Sequence, residues 1–241
     1  MKITSTSIIT SIIFFLFISI FISIKLYAED AIDFSQENAK QHIKSLIKPI
    51  GKGCFQIGLV IIDEPNRQIF FPAKVNLRDV LIEYAIVGKT GKLHESLLST
   101  EVSSSHIHCA MLLLGMKNLR PKSAERQLLS GQPIDILLSW KSGGSERKGR
   151  IEDWIIIENE RQSIAKGMWI YNGARIDDGH FTALFHESIV AIIHDVDALA
   201  NNPRIGNEND EIWYPNEDII PPIGTHVTVI FKLLDEYKIP S

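Results

Sequence analysis

The sequence predicts an α+β fold, made mainly of antiparallel β-sheet with one buried helix and a short N-terminal helix. Two pairs of segments rich in β-branched and aromatic residues flank turn signals, at 63–66 ("DEPN") and at 141–148 ("KSGGSERK"). This arrangement is typical of β-hairpins. Apolar residues recur at helical spacing in 35–50 and in 103–115. A surplus of strands over helices, joined as hairpins, indicates a domain dominated by antiparallel sheet.

The first 28 residues have the layout of an export signal. No charged residue lies between Lys2 and Lys25, and the small residue Ala28 follows, which is typical of a secretory signal that is cut after a small residue. An uncleaved anchor is the alternative, because an apolar helix of this length spans the ~30 Å hydrocarbon core. Both alternatives predict that residues 29–241 are exported, to the periplasm or the cell exterior, and that only residues 1–28 contact the membrane.

Residues 29–53 predict a short helix followed by a linker. Ser35 can cap the helix and Pro49 can end it. The apolar residues at helical spacing are Ala39, Ile43, Leu46, Ile47 and Ile50. The remaining residues, 54–241, are enough for a single domain.

Most of this domain has the composition of strands. The strand-like segments are, in chain order, 55–62, 67–75, 80–87, 94–102, 133–140, 149–157, 168–171, 180–195 and 224–234. They are rich in Val, Ile, Phe, Tyr and Trp, the residues that favour strands. The segment 180–195 ("HFTALFHESIVAIIHD") is long enough for two strands about a tight turn.

The segment 103–115 ("SSSHIHCAMLLLG") predicts a helix in the interior of the domain. Its serines provide an N-cap and its final glycine a C-terminal stop. Apolar residues occupy nearly every side of it: Ile107, Ala110, Met111, Leu112, Leu113 and Leu114. A helix that is apolar on nearly all sides is usually buried.

A long irregular segment, 201–224, predicts a binding surface. Loops longer than about 12–15 residues are uncommon in compact domains and are usually functional or disordered, and this one has too many apolar residues for a disordered segment. We expect its apolar side chains to anchor it, so that other side chains are presented to a partner protein or an envelope component. The candidate ligand- or partner-binding residues are Asn202, Asp210, Trp213 and Asn216.

Three residues form a candidate metal site: His94, Glu95 and His108. In a regular strand His94 and Glu95 face opposite sides, so a shared site needs a turn, which Gly91 makes possible. Two imidazoles and one carboxylate would leave an open position on zinc or another divalent metal, as catalytic zinc sites do. The alternative is a hydrogen-bonded cluster without metal.

Spacing and composition exclude several other kinds of site. No second histidine stands four residues after His94 or His186, as a zinc-protease motif requires. The segment 88–92 ("GKTGK") lacks the first glycine of a phosphate-binding loop. Cys54 and Cys109 are too few for an iron–sulfur cluster, and they either form a disulfide or remain free. The chain has 25 basic and 29 acidic residues without a basic tract, which argues against nucleic-acid binding.

Five segments resemble, in this order, the YdjY-type domain found in exported bacterial proteins: "GKLHESLL", "HIHCAMLLLG", "WIYNG", "NNPRIGNENDEIWYPN" and "PPIGTHVTV". The resemblance covers about 55–234, and its most specific part is 91–95 followed by the helix that contains His108. It implies a single YdjY-like domain over 54–241 without assigning an activity or catalytic residues. Relatives sometimes carry a ferredoxin-like iron–sulfur label, from which this chain departs because it has only two cysteines.

The sequence therefore favours an exported, non-enzymatic module of the cell envelope that binds an unknown protein or envelope component, or that serves as an accessory domain. The alternative is a metal-binding protein or metal-dependent enzyme that uses His94, Glu95 and His108. Nucleic acid is not an expected partner in either case.

Overall fold

The structure, a computed structural model, describes residues 46–117, 131–158, 163–177 and 180–234. The predicted export signal, most of the predicted N-terminal helix and the last residues of the chain lie outside these ranges. The described residues from Lys48 onward belong to one compact unit. Within the described residues, no helix is long and apolar enough to cross a membrane.

The described residues form strands, two α-helices and two short 3₁₀ turns. The strands are β1 Ile47–Gly51, β2 Cys54–Ile57, β3 Val60–Asp63, β4 Gln68–Val75, β5 Tyr84–Gly88, β6 Ser96–Thr100, β7 Gln132–Ser142, β8 Ser145–Arg150, β9 Ile155–Ile157, β10 Trp169–Tyr171, β11 Ile176–Asp177, β12 His180–Phe181, β13 Ser188–Ala191, β14 Ala200–Asn201, β15 Trp213–Pro215 and β16 His226–Leu233. The helices are α1 Ser104–Leu113 and α2 Thr182–His186, and the 3₁₀ turns are Leu93–Glu95 and Ile151–Trp154.

Eight of the strands close into a barrel. Their order is β4-β16-β7-β10-β14-β13-β5-β6, and β6 pairs back onto β4. The pairs β5–β6 and β13–β14 are parallel, whereas the other barrel pairs are antiparallel. The predicted α+β fold of mainly antiparallel sheet is therefore wrong, because the fold is mostly β and its barrel is mixed.

The strand pair that closes the barrel shows why the sequence did not predict the closure. β6 joins β4 through two residue pairs, Lys74 with Ser99 and Val75 with Leu98. Alternating hydrophobicity shows which face of a strand is buried, but it does not show which strand lies beside it. A contact this short therefore leaves no recognisable pattern in the sequence.

The remaining strands extend the barrel or form small separate sheets. β3, β2 and β1 continue outward from β4, and β8 pairs with β7. β9 pairs with β15, and β11 with β12. The hairpin predicted about 63–66 is confirmed as β3–β4. A hairpin also follows 133–140, as β7–β8, but its second strand lies mostly within the predicted turn 141–148. The predicted strand 149–157 is wrong, since it is divided between the end of β8, the 3₁₀ turn Ile151–Trp154 and β9.

Alternate side chains of the barrel strands point into its interior. In β4, Phe71 and Val75 are buried, whereas Pro72 and Lys74 are exposed on the outer face. Phe71 meets Phe231 of β16 edge to face, with ring centroids 5.1 Å apart. Such aromatic pairs add about 0.5–1.5 kcal/mol to the gain from burial alone. The core therefore lies inside the barrel, and the outer face of β4 is exposed at Pro72 and Lys74.

The helix predicted in 103–115 is confirmed as α1, but only one of its faces is buried. The Ser103 side chain accepts a hydrogen bond from a backbone amide of the first turn, and Gly115 follows the helix with a φ of +88°. Met111 is buried, whereas Leu112 and Leu113 are 41% and 51% exposed. The expected burial on nearly all sides is therefore wrong, because α1 packs on the domain with one side facing solvent.

Three local predictions are also wrong. The segment 55–62 is not one strand but the hairpin β2–β3, which turns at Gly58 with a φ of +55° that favours glycine. The middle of 180–195 forms the helix α2 between β12 and β13. Ile47 and Ile50, which were expected in the N-terminal helix, lie in β1.

Candidate functional site

The 3₁₀ turn at Leu93–Glu95 brings two of the predicted metal ligands together. His94 Nε2 lies 3.5 Å from Glu95 Oε2, so the irregular backbone expected after Gly91 is present. Glu95 also forms an ion pair with Lys92, whose Nζ lies 3.0 Å from Glu95 Oε1. The carboxylate that His94 approaches is therefore already paired with the ammonium group of Lys92. The His94 side chain itself is 80% exposed.

Lys92 is held by groups on three sides. Its Nζ lies 3.7 Å from a Glu83 carboxylate oxygen and 4.9 Å from the centroid of the Tyr84 ring. Burial would lower the pKa of Lys92, but hydrogen bonds with Tyr84 and Glu95 outweigh this effect and raise it. Burial and the neighbouring Asp195 raise the pKa of Tyr84 to about 12. The ammonium group of Lys92 therefore lies between two carboxylates, those of Glu83 and Glu95.

The hydrogen bond described for His108, the third predicted ligand, is to a residue outside the Leu93–Glu95 turn. His108 is buried in α1, and its Nδ1 lies 2.5 Å from the hydroxyl of Tyr171 in β10. Among the described residues, no group of three or more His, Cys, Asp and Glu side chains could hold a metal ion. The predicted zinc site therefore lacks its third ligand in this part of the chain. Cys54 and Cys109 are free thiols, so the disulfide alternative is not realised.

The predicted binding loop is anchored largely by the residues that were expected to contact a partner. Asn202 is fully buried and donates to a backbone carbonyl 3.1 Å away. Trp213 is fully buried, and its Nε1 donates to a backbone carbonyl at 2.9 Å. Asn216 donates to the Asp153 carbonyl at 3.2 Å. Asp210 alone of the four predicted residues is exposed, so most of this set holds the loop in place.

A buried carboxylate holds the same loop to the barrel. Glu152 has no exposed surface, and its Oε1 accepts hydrogen bonds from Arg150 at 3.2 Å, Arg204 at 3.2 Å and the Gly167 amide at 3.1 Å. The Arg204 guanidinium lies 5.2 Å from the centroid of the Trp169 ring, a distance at which cations are attracted to aromatic faces. We call Arg150, Glu152 and Arg204 the ion triad.

The charges of the ion triad influence one another. A hydrogen bond to Asp135, supported by Glu152, raises the pKa of Arg150 above its usual range. Burial lowers the pKa of Arg204, although Glu152 offsets part of the effect. Arg150 also lies 2.5 Å from a carboxylate oxygen of Asp135 in β7, so the ion pairs extend from the triad to that strand. Its chemistry is that of a structural clamp, because both cations are already bonded to carboxylates.

An open groove lies on the outer face of the barrel, where β3 and β6 diverge from β4. β4 pairs with β3 through Gln68–Phe70 and with β6 at Lys74–Val75, and the residues between them pair with neither strand. The groove has a volume of about 340 Å³, within the ~300–1,000 Å³ typical of ligand sites. We call it the fork groove, and its principal lining residues are Leu59, Pro72, Lys74, Lys89, Leu93 and His226.

Pro72 explains why the strands can separate here without leaving a backbone donor unpaired. The backbone groups of Val75 bond toward the β16 side, with Thr225 and Gly224, and alternation along the strand directs those of Pro72 toward the fork. Proline has no N–H to leave unpaired. The Pro72 carbonyl accepts a hydrogen bond from the Thr100 hydroxyl at 2.6 Å. The backbone of Pro72, which forms the floor of the fork groove, therefore has no unpaired donor and has a partner for its acceptor.

Two local contacts fix the leucines of the fork groove. Asn76 Nδ2 donates to the carbonyls of Leu93 and Ser96 at 2.6 and 2.7 Å, which fixes the turn that carries Leu93. Leu59 follows Gly58, where a Cβ would overlap the ring of His106 in α1. Helix α1 therefore supports the hairpin turn that places Leu59 at the edge of the groove.

The sequence did not identify the fork groove, although it contained one signal. Proline within a strand is confined to edges, bulges and the first residue, so Pro72 in "RQIFFPAKV" marked a position where pairing stops. The signal shows that a gap exists, but it does not show that Lys89 and Leu93 lie beside it. Those residues follow β5, and the closing contact of β6 brings them next to β4.

The comparisons with known proteins give one match. The family model described as "YdjY domain" matches residues 60–232, which is most of the chain and includes the whole of the fork groove except Leu59. None of the curated proteins and none of the solved structures matches the chain significantly. The match agrees with the resemblance seen in the sequence and adds no activity to it.

Proposed function

We propose that this chain, which belongs to the YdjY domain family, is an exported, non-enzymatic module of the cell envelope that binds a small ligand through the fork groove. The groove itself carries the proposal, because it combines a ligand-sized volume of about 340 Å³ with side chains held in place by the surrounding turns. Sites for small molecules are usually concave, largely preformed and lined by apolar surface with a few polar groups.

The groove lining supports binding in preference to catalysis. The hydroxyl of Thr100 is buried and donates to the Pro72 carbonyl, so it serves the main chain. His226 is exposed on the edge of the groove and is the cross-strand neighbour of Lys74, so the groove presents basic side chains beside its apolar walls. The lining side chains can therefore contact a bound ligand, and this is the function that we propose for them.

Binding by the groove is tested with anilinonaphthalene sulfonate (ANS), an aromatic anion that fluoresces in apolar sites. We expect saturable one-site binding to the folded protein and at least a fivefold weaker signal in Leu59→Glu, because a carboxylate would replace an apolar wall of the groove. Ile205→Glu is the matched control, since Ile205 is 96% exposed and does not line the groove. Equal binding by both variants would contradict the assignment of the function to this groove.

Export is tested separately by fractionation of cells that produce the full chain. We expect the protein outside the cytoplasm, either as a mature chain that begins at Glu29 or as a membrane-bound chain that retains residues 1–28, because the apolar segment after Lys2 has the layout of an export signal. Mass spectrometry of the purified protein distinguishes the two forms. A full-length protein in the cytosolic fraction would refute the export part of the proposal.

A further inference from the structure

We infer that the ligand of the fork groove is a small amphipathic anion, in which a single carboxylate or phosphate head is attached to a short apolar chain. This inference rests on the proposed function, since it names the chemistry that the groove takes. Four properties of the groove lead to it: the sign of its charge, its apolar walls, its satisfied backbone and its size.

The charge of the lining is opposite to that of the chain as a whole. The chain has a formal net charge of −4, yet Lys74 and Lys89 both line the groove. Lys74 lies on the outer face beside His226, its cross-strand partner in β16. The one acidic lining residue, Glu101, is 3.8 Å from Lys89. An anionic head would therefore meet a local excess of positive charge, which attracts anions even on an acidic protein.

Glu101 does not neutralise this site effectively. The side chains of Lys89 and Glu101 are 61% and 62% exposed, and exposed ion pairs at this separation are weak. Lys74 has no ion pair with a carboxylate among the described residues. An incoming carboxylate can thus bind Lys74 without displacing a partner and can compete with Glu101 for Lys89.

The apolar walls call for a ligand with an apolar part. Leu59 is 52% exposed and Leu93 is 36% exposed, and the exposed ring of Pro72 lies on the floor between β3 and β6. Each methylene that a ligand buries against such surface contributes about 0.8 kcal/mol. A purely polar anion would leave this surface in water and gain nothing from it.

The backbone of the floor argues against an extended peptide as the ligand. A peptide that adds to a sheet obtains its affinity from unpaired N–H and C=O groups of an edge strand. In the fork groove the residue that faces the fork is Pro72, which lacks an N–H, and its carbonyl accepts the Thr100 hydroxyl. β4 therefore offers a peptide backbone no donor, and recognition falls to the side chains.

The test compares four eight-carbon probes by isothermal titration: octanoate, octyl phosphate, octanol and octylammonium. We expect saturable one-site binding of octanoate and octyl phosphate, at least tenfold weaker binding of octanol and no saturable binding of octylammonium. Acetate and inorganic phosphate serve as heads without a chain and should bind at least tenfold more weakly than the corresponding octyl compounds. An extended acidic peptide is the remaining probe and should not bind.

Lys74→Met is the decisive variant, because it removes the charge and keeps most of the side-chain volume. It should weaken octanoate binding about tenfold, which corresponds to the loss of one charge-assisted contact. Lys232→Met is the matched control, since Lys232 is also an exposed lysine on a barrel strand but does not line the groove. Lys89→Met provides a second variant should Lys74→Met alter the circular dichroism spectrum.

The outcomes separate the inference from the proposed function. Equal binding of octanol and octanoate, or equal effects of Lys74→Met and Lys232→Met, would overturn the anionic head while leaving a binding groove. Inorganic phosphate that binds as tightly as octyl phosphate would overturn the apolar part. Tighter binding of the acidic peptide would overturn the small-ligand assignment. Failure of ANS and of all octyl probes to bind would refute the proposed function itself.

Discussion

The ion triad and the fork groove both bring lysine or arginine next to a carboxylate, but they do so in opposite surroundings. In the ion triad Glu152 is fully buried and accepts three hydrogen bonds at 3.1–3.2 Å. In the fork groove Lys89 and Glu101 are more than 60% exposed and 3.8 Å apart. Breaking a buried ion pair is costly because it leaves an uncompensated charge, whereas an exposed pair contributes little. The triad is therefore built to hold the fold, and the groove leaves its charges available to a ligand.

The same contrast applies to geometry. The ion triad connects the end of β8 with the segment after β14 through Gly167, whose amide donates to Glu152 and whose carbonyl accepts from Arg204. In the fork groove β3 and β6 diverge from β4, and the crosslink that the structure describes between β6 and β4 there is the single hydroxyl bond from Thr100 to the Pro72 carbonyl. A ligand between these strands would supply contacts that the protein lacks at this position.

The largest effect is expected from the loss of Glu152. Glu152→Ala leaves Arg150 and Arg204 without their shared buried acceptor, and breaking a buried ion pair in this way typically costs about 3–5 kcal/mol of the free energy of unfolding. Urea denaturation followed by circular dichroism measures this change. Glu146→Ala is the control. Glu146 lies in β8, just before the 3₁₀ turn that carries Glu152, is 61% exposed and pairs with Lys148 at 3.7 Å. We expect at most about 1 kcal/mol from the control.

A loss below about 1 kcal/mol in Glu152→Ala would contradict this interpretation of the triad. It would mean that water replaces the carboxylate at little cost and that the segment after β14 is held by other contacts. In that case the ion triad would contribute no more to stability than the exposed ion pair of the fork groove, although it is buried.

The loss of stability expected from breaking the buried hydrogen bond between His108 and Tyr171 lies between those of Glu152→Ala and Glu146→Ala. Tyr171→Phe removes the hydroxyl that lies 2.5 Å from Nδ1 of His108, and loss of a buried hydrogen-bond partner costs about 1–3 kcal/mol. Urea denaturation of Tyr171→Phe, His108→Phe and the double variant gives the coupling energy of the pair. Additive losses would show that the two groups do not depend on each other, in contradiction to the short contact.

A pH-dependent contribution is expected from Asp153, next to the triad. Burial pushes the pKa of Asp153 upward, but hydrogen bonds from Lys166 and the Arg150 amide outweigh this effect and lower it. A carboxyl group whose pKa is lower in the folded state stabilises the protein above its unfolded pKa of about 3.9 and loses this contribution as the pH falls further. Asp153→Asn should therefore lower Tm at pH 7 and have a smaller effect at pH 3.

Thermal denaturation of wild type and Asp153→Asn at several pH values between 3 and 7 checks the sign. The difference in Tm should be largest near neutral pH and shrink below about pH 4. A difference that grows toward low pH would show that the carboxyl group is not held in its charged form by Lys166. Lys166→Met should reproduce part of the loss, since its Nζ lies 2.9 Å from Asp153.

Local patterns in the sequence predicted several elements correctly. The caps of α1 follow directly from a serine before the helix and Gly115 after it, and the hairpin turns follow from "DEPN" and from the two glycines at 143–144. These features depend on residues close together in the chain, so the sequence contains the information that specifies them. The family resemblance was recognised for the same reason, through short runs such as "GKLHESLL".

The features that the sequence did not reveal depend on distant residues. The barrel closes where Lys74 meets Ser99, and the fork groove exists because that contact ends after two residue pairs. The sequence groups His108 with His94 because the connection 101–105 between strand and helix is short, whereas the hydrogen bond described for His108 is to Tyr171, far along the chain. Pairing of this kind is a property of the assembled barrel, and no local pattern specifies it.

The smallest effect on stability, and the sharpest test of the comparison, is expected from Glu101. Glu101→Gln removes the carboxylate that faces Lys89 and keeps the shape of the side chain. Because both groups are more than 60% exposed, the free energy of unfolding should change by less than about 1 kcal/mol.

The same substitution frees Lys89 for an incoming anion, so ANS and octanoate should bind about two- to fivefold more tightly at low salt. This gain should diminish at 0.5 M salt, because the Debye length is then only a few ångström. Glu146→Gln, an exposed ion-pair variant outside the groove, should leave binding unchanged. If Glu101→Gln instead destabilised the fold by several kcal/mol without affecting binding, the carboxylate would be structural like Glu152, and the two regions would share one role.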